Sequence, residues 1–135
     1  MPIRVLKPKE LGEPLGTYSY GVVAPGGEIV VVAGQVAVDA SGKVVGEDIV
    51  AQTKQVLENI KAVLAAAGCT MESVIRFQSF LTRVEDIDGF NRARRDLFPA
   101  YFPAGAYPPN TLLVVSRLAR PEFLVEIEAM AVKER

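Results

Sequence analysis

The chain has 135 residues, enough for one domain and too few for two well-formed ones. Half of the residues are hydrophobic and 23% are charged, 15 basic against 16 acidic, so disorder, a basic nucleic-acid-binding face and an acidic tail are all poorly supported. There is no His, which removes Ser-His-Asp and Cys-His nucleophile systems and His-bound zinc, and the single Cys69 can form neither an intrachain disulfide nor a thiolate cluster.

Met1 to Gly12 lacks the central apolar run of a secretory signal, and no stretch approaches the roughly 18 apolar residues of a membrane span. A soluble, cytoplasmic protein with no membrane partner is expected. No linker, charge run or convincing repeat divides residues 1–135, which read as a single domain. Ile3 to Val5 reads as a short edge strand. Tyr18 to Val23 and Glu28 to Ala33 are β-branched runs about Ala24-Pro25-Gly26-Gly27, the pattern of a hairpin, and Gln35 to Val38 continues or starts another strand before the turn at Asp39 to Lys43.

From Gly46 to Ala67 the apolar period changes to that of an amphipathic helix, with Ile49, Val56, Ile60 and Val63 on one side and Lys54, Glu58 and Lys61 opposite. Gly68 is placed to close it. Ser73 to Thr82 returns to a strand pattern, and Asp86 to Tyr101 carries Ile87, Phe90, Leu97 and Phe98 at helical spacing, with Pro99 expected to end or kink that helix. Phe102 to Pro109, with three prolines, reads as an extended connection. Thr111 to Leu118 and Phe123 to Val132 read as two strands around a turn at Ala119 to Glu122.

This order predicts an α+β fold, a single mixed β-sheet with two helices packed on one face. The other face then needs cover, and the apolar content makes a second copy of the chain the natural one.

The last strand holds the most informative anomaly. Phe123, Val125, Ile127, Ala129 and Ala131 alternate as one apolar face, while Leu124, Glu126, Glu128, Met130 and Val132 form the other. Two carboxylates among apolar neighbours are either held by Arg76, Arg117 or an interface Arg, or they serve a cleft. Asn91 falls on or beside the apolar stripe of the second helix, where it either caps backbone or addresses a ligand. Tyr18 follows an irregular glycine-bearing lead-in from which its hydroxyl could reach a cleft. Phosphate cradles are missing, and aromatic residues do not interleave with basic ones as a single-strand RNA platform requires.

Gly16-Thr17-Tyr18-Ser19, Ala33-Gly34-Gln35-Val36, the helix from Ala51-Gln52-Thr53 through Val56-Leu57-Glu58-Asn59-Ile60, Phe90-Asn91, Phe102-Pro103 and Leu124-Val125-Glu126-Ile127-Glu128-Ala129 resemble, in order and spacing, the Rid/YjgF family, whose members include the reactive-intermediate (enamine/imine) deaminases. The resemblance implies a chorismate-mutase-like subunit and a homotrimer with small-molecule clefts between subunits. It implies Tyr18 and Asn91 as cleft residues and Glu126 as the group that positions the hydrolytic water, with backbone near Ala33 and Gly34 completing the water's hydrogen bonds.

Where the family's deaminases carry an Arg that clamps the substrate carboxylate, this chain has Asn110, and a frequent Cys two residues on is Leu112. A neutral amide cannot reproduce the paired charge-assisted bonds of a guanidinium, so the substrate is expected to be altered. No metal or organic cofactor is implied, and a small molecule and further copies of the chain are the expected partners. The competing expectation is a trimer of the same family that binds or protects without turnover. A cleft holding both Asn110 and Glu126 needs their strand faces to coincide, which a four-residue turn would not give and a bulge or five-residue turn would.

Overall fold

The computed structural model describes residues 3–134. In chain order it contains strands β1 (Arg4–Val5), β2 (Val22–Val23) and β3 (Gly27–Gln35), helix α1 (Ile49–Ala66), strand β4 (Val74–Leu81), helix α2 (Ile87–Tyr101), and strands β5 (Asn110–Val114) and β6 (Val125–Glu134). The main sheet has four strands in the order β3-β6-β4-β5, with β4 and β5 parallel and the other neighbours antiparallel. Helix α2 is the crossover that makes the parallel β4–β5 pair possible. No helix among the described residues is long and apolar enough to cross a membrane.

Strand β6 lies inside the sheet between β3 and β4, and one of its faces is wholly apolar. Val125, Ile127, Ala129 and Ala131 are buried under α1, whose own buried face is Ile49, Val56, Leu57, Ile60 and Leu64. Each such aliphatic side chain contributes about 1.5–3 kcal/mol on burial. Asp48 caps α1 by accepting from the Ala51 N–H at 2.8 Å, and Gly68, at φ 78°, turns the chain out of it in the left-handed conformation that favours glycine.

Two sequence expectations are corrected. Tyr18 to Val23 does not form a hairpin with Glu28 to Ala33: β2 pairs with β1 in a separate two-stranded sheet, and β3 pairs with β6. The last two strands are not neighbours, because β4 lies between them and β5 occupies the sheet edge. Helix α2 ends at Tyr101, as its spacing predicts, with Pro99 inside its last turn, and it closes with the Phe102 N–H on the Phe98 carbonyl at 2.8 Å. The ring costs the helix one hydrogen bond, since Pro99 has no N–H to donate to the Arg95 carbonyl.

The sheet face away from the helices is open in the single chain. Ile29 and Val31 on β3 are 67% and 69% exposed, and Leu113 on β5 is exposed as well.

Candidate active site

Glu126 projects from the open face of β6, in register with Phe80 of β4, which in turn lies beside Leu113 of β5. Along β3 the pairing with β6 slips: Val32 faces Ala129 but Gln35 faces Ile127, so three steps on one strand meet two on the other. That β-bulge contains Ala33 and Gly34, and it brings the Gly34 backbone against the Glu126 side chain. A methyl group at Gly34 would overlap the carboxylate, standing 2.8 Å from Cδ. Glycine leaves this space to the carboxylate, and a larger residue would push the flexible end of Glu126 aside. Ala33 is exposed beside it, and its carbonyl accepts from Gln35 Nε2 at 3.1 Å.

Neither Arg offered as an ion-pair partner holds these carboxylates. Arg76 donates to Gln78 Oε1 at 2.9 Å, and Arg117 donates to the Leu118 and Ala119 carbonyls at 3.0 and 3.1 Å. Among the described residues Glu126 has no hydrogen bond or salt bridge, and burial followed by the nearby charge of Glu128 pushes its carboxyl above the ordinary glutamate value. A half-buried, unpaired carboxylate with a raised pKa is suited to holding and deprotonating water.

Asn110 begins β5 and is in register with Phe77, while Leu112 is in register with Ser79. Both therefore face the helix side of the sheet. Glu126 faces the other, so within one chain the two faces do not coincide, because β5 enters the sheet through β4 and not through a turn against β6. Leu112 packs against the core. The buried Ser79 hydroxyl donates to Asn110 Oδ1 at 2.7 Å, which leaves the amide N–H pair directed elsewhere.

Tyr18 is half-buried, edge-on to Tyr20 with ring centres 6.0 Å apart, and its hydroxyl accepts only a long 3.4 Å bond from the Leu15 N–H. It lines a hollow of about 160 Å³ with Lys7, Ser19 and Tyr107. Asn91 is half-buried on α2 and its side chain makes no hydrogen bond among the described residues, which removes the backbone-cap reading. The structure thus joins Gly34, Ala33 and Glu126 in one place and leaves Tyr18, Asn91 and Asn110 in others. Cys69 is buried just after α1, as a small apolar residue is.

Sequence reasoning passed over Arg94. It lies four residues from both Phe90 and Phe98, in the middle of the apolar stripe of α2, and that spacing was the available signal.

Comparison with known proteins places residues 9–133 within the family model described as endoribonuclease L-PSP. A RutC family protein of Pyrococcus horikoshii is 39% identical over 123 residues, covering 90% of this chain and 91% of its own length. Among solved structures, the Rid family protein YyfB of Yersinia pestis superposes with a TM-score of 0.85 at 35% identity, over 98% of this chain and 100% of that one. TdcF of Escherichia coli, solved with bound serine, superposes with a TM-score of 0.72 at 27% identity over 97% and 99%.

Proposed function

Because the chain belongs to the endoribonuclease L-PSP family, which takes in the Rid, YjgF and RutC proteins, we propose that it is a cofactor-independent enamine/imine deaminase-like hydrolase with an altered substrate. The observation that carries this reading is the unpaired Glu126 carboxylate, raised in pKa and set against Gly34 on an open sheet face. Glu126 takes a proton from water, the hydroxide adds to the carbon of C=N, and the proton is passed to nitrogen. Collapse of the carbinolamine then gives C=O and ammonia. Two adjacent carboxylates repel a phosphodiester, which favours a small C=N compound over the RNA that the family's description names.

The working unit in this reading is a homotrimer. One subunit supplies Gly34 and Glu126, and its neighbour brings Tyr18, Asn91 and Asn110 across the boundary. Two features support it: a single chain keeps these two groups apart, and its open face exposes Ile29 and Val31. Asn110 donates its amide N–H groups to a ligand acceptor, Ser79 fixing the orientation. A second reading, a trimer that binds or shields a metabolite without turnover, is favoured by Asn110 standing where an Arg clamp is expected.

Ammonia release from 2-imino acids generated in situ and from neutral enamines tests both, with thermal stability recorded in parallel. Catalysis is expected to show as release by the native protein that Glu126→Gln abolishes while assembly is kept. A stability shift without ammonia selects the binding reading, and turnover unchanged in Glu126→Gln removes the role of this carboxylate.

A further inference from the structure

Arg94 occupies the middle of the buried face of α2 and is 5% exposed. Its guanidinium carbon lies 5.3 Å from the centre of the Phe90 ring and 4.8 Å from that of Phe98, so the cation is held between two aromatic side chains. No carboxylate among the described residues neutralises it. Burial lowers its pKa to about 10, which still leaves it charged at neutral pH. As core filling this is a poor choice, since an aliphatic side chain would complete the stripe without removing a charge from water.

The residue does one thing that an aliphatic side chain could not. Nη2 donates to the Thr17 carbonyl at 2.8 Å, bridging 77 positions in sequence. Residues 12–20 belong to no strand, and among the described residues this is their only hydrogen bond to the helical layer. The next residue is Tyr18, and Asn91 sits one turn before Arg94 on the same helix. The guanidinium therefore ties together the two elements that carry both candidate groups.

We propose that Arg94 is a positioning residue, holding the irregular 12–20 segment against α2 so that Tyr18 and Asn91 keep a fixed spacing. Its effect on chemistry rests on the reading of Tyr18 as a ligand-facing group, whereas its hold on the segment does not. The assignment gives this chain a specific device: a charge-assisted bond to a backbone carbonyl, independent of the side chain at position 17 and lost with any residue that lacks the donor.

Arg94→Met keeps the packing between the two rings and removes the donor, and Arg94→Lys keeps the charge with a less suited geometry. Limited proteolysis of the full chain is followed with chymotrypsin, comparing cleavage at Leu15, Tyr18 and Tyr20 with cleavage within α1. Arg94→Met is expected to speed cleavage in 12–20 by about 10-fold or more and to leave α1 unchanged, with Arg94→Lys intermediate. Should Arg94→Met not fold, Arg94→Lys carries the same comparison.

Turnover of a 2-imino acid or a neutral enamine is then read in a double-mutant cycle with Tyr18→Phe. If Arg94 acts through Tyr18, its substitution lowers kcat in the native background and costs little more once Tyr18 is Phe. Unaltered cleavage in 12–20, or fully additive losses in the cycle, overturns the proposal. A native protein that turns over neither probe defeats the deaminase reading alone, and the cleavage comparison still decides the role of Arg94.

Discussion

Burial and the charge of Glu128 both oppose ionisation of Glu126, so this side chain keeps its proton to a higher pH than an exposed glutamate does. A general base must be ionised, so turnover is expected to fall as pH drops through that raised value. Glu128→Gln removes the repulsion and is expected to move the acid limb of the pH–rate profile to lower pH. The stability consequence has the opposite sense from that of a salt-bridged carboxylate. The folded state binds this proton more tightly than the unfolded chain, so the favourable contribution is present at acid pH and is lost as pH rises through the folded pKa. Glu126→Gln is therefore expected to raise Tm at neutral pH and to leave it nearly unchanged at acid pH, while lowering kcat by about 10²–10⁴-fold. Gly34→Ala should separate site from scaffold in the other direction: the added methyl displaces the carboxylate, the flexible end of a side chain, so activity falls about 10-fold or more while stability changes by about 1 kcal/mol or less. Measured kcat/KM and urea midpoints check both. The acid was legible in the sequence because strand alternation places Glu126 among apolar residues. The close approach of Gly34 to that carboxylate was not, because it follows from a bulge paired with a strand far along the chain.

At the scale of elements, polar side chains on α1 fix the connections that aim the strands. Gln52, 1% exposed, donates to the Gly46 carbonyl at 3.1 Å and the Glu122 carbonyl at 2.8 Å and accepts from the Leu124 N–H at 2.9 Å. Asn59 donates to the Val36 and Val38 carbonyls at 3.0 and 2.9 Å. Gln52 thus locks the entry to β6 two residues before Glu126. Gln52→Leu retains the volume but leaves backbone groups of 122 and 124 without partners, and is expected to cost about 2–4 kcal/mol in urea unfolding. Periodicity located both helices to within a few residues and the apolar face of β6 correctly. It could not order the sheet, since Thr111 to Leu118 and Phe123 to Val132 read as neighbours and β4 separates them. The reason is that alternation reports which face is buried and carries nothing about which strand lies alongside. That error is what left Asn110 and Glu126 an open question, and β4 answers it by placing them on opposite faces.

For the whole molecule, an apolar composition with one sheet face uncovered was readable from the sequence, and the structure locates the exposed surface at Ile29 and Val31 of β3. Nothing in residue order says which copy meets which edge, because that depends on the shape of the finished sheet. In the proposed trimer, catalysis and assembly are one property, since the Glu126 of one subunit has no Tyr18, Asn91 or Asn110 within its own cleft. Ile29→Asp with Val31→Asp puts two charges on a surface that is solvent-exposed in the subunit, so each chain should fold with a stability within roughly 1 kcal/mol of the native one. The same charges, desolvated at a contact between copies, oppose association strongly. Light scattering is expected to give the mass of one chain, 14.6 kDa, where the native protein gives three, and ammonia release should disappear although Glu126 is untouched. A native mass of one chain would remove the shared cleft, and a dissociated variant that keeps full turnover would place the whole reaction within a single subunit.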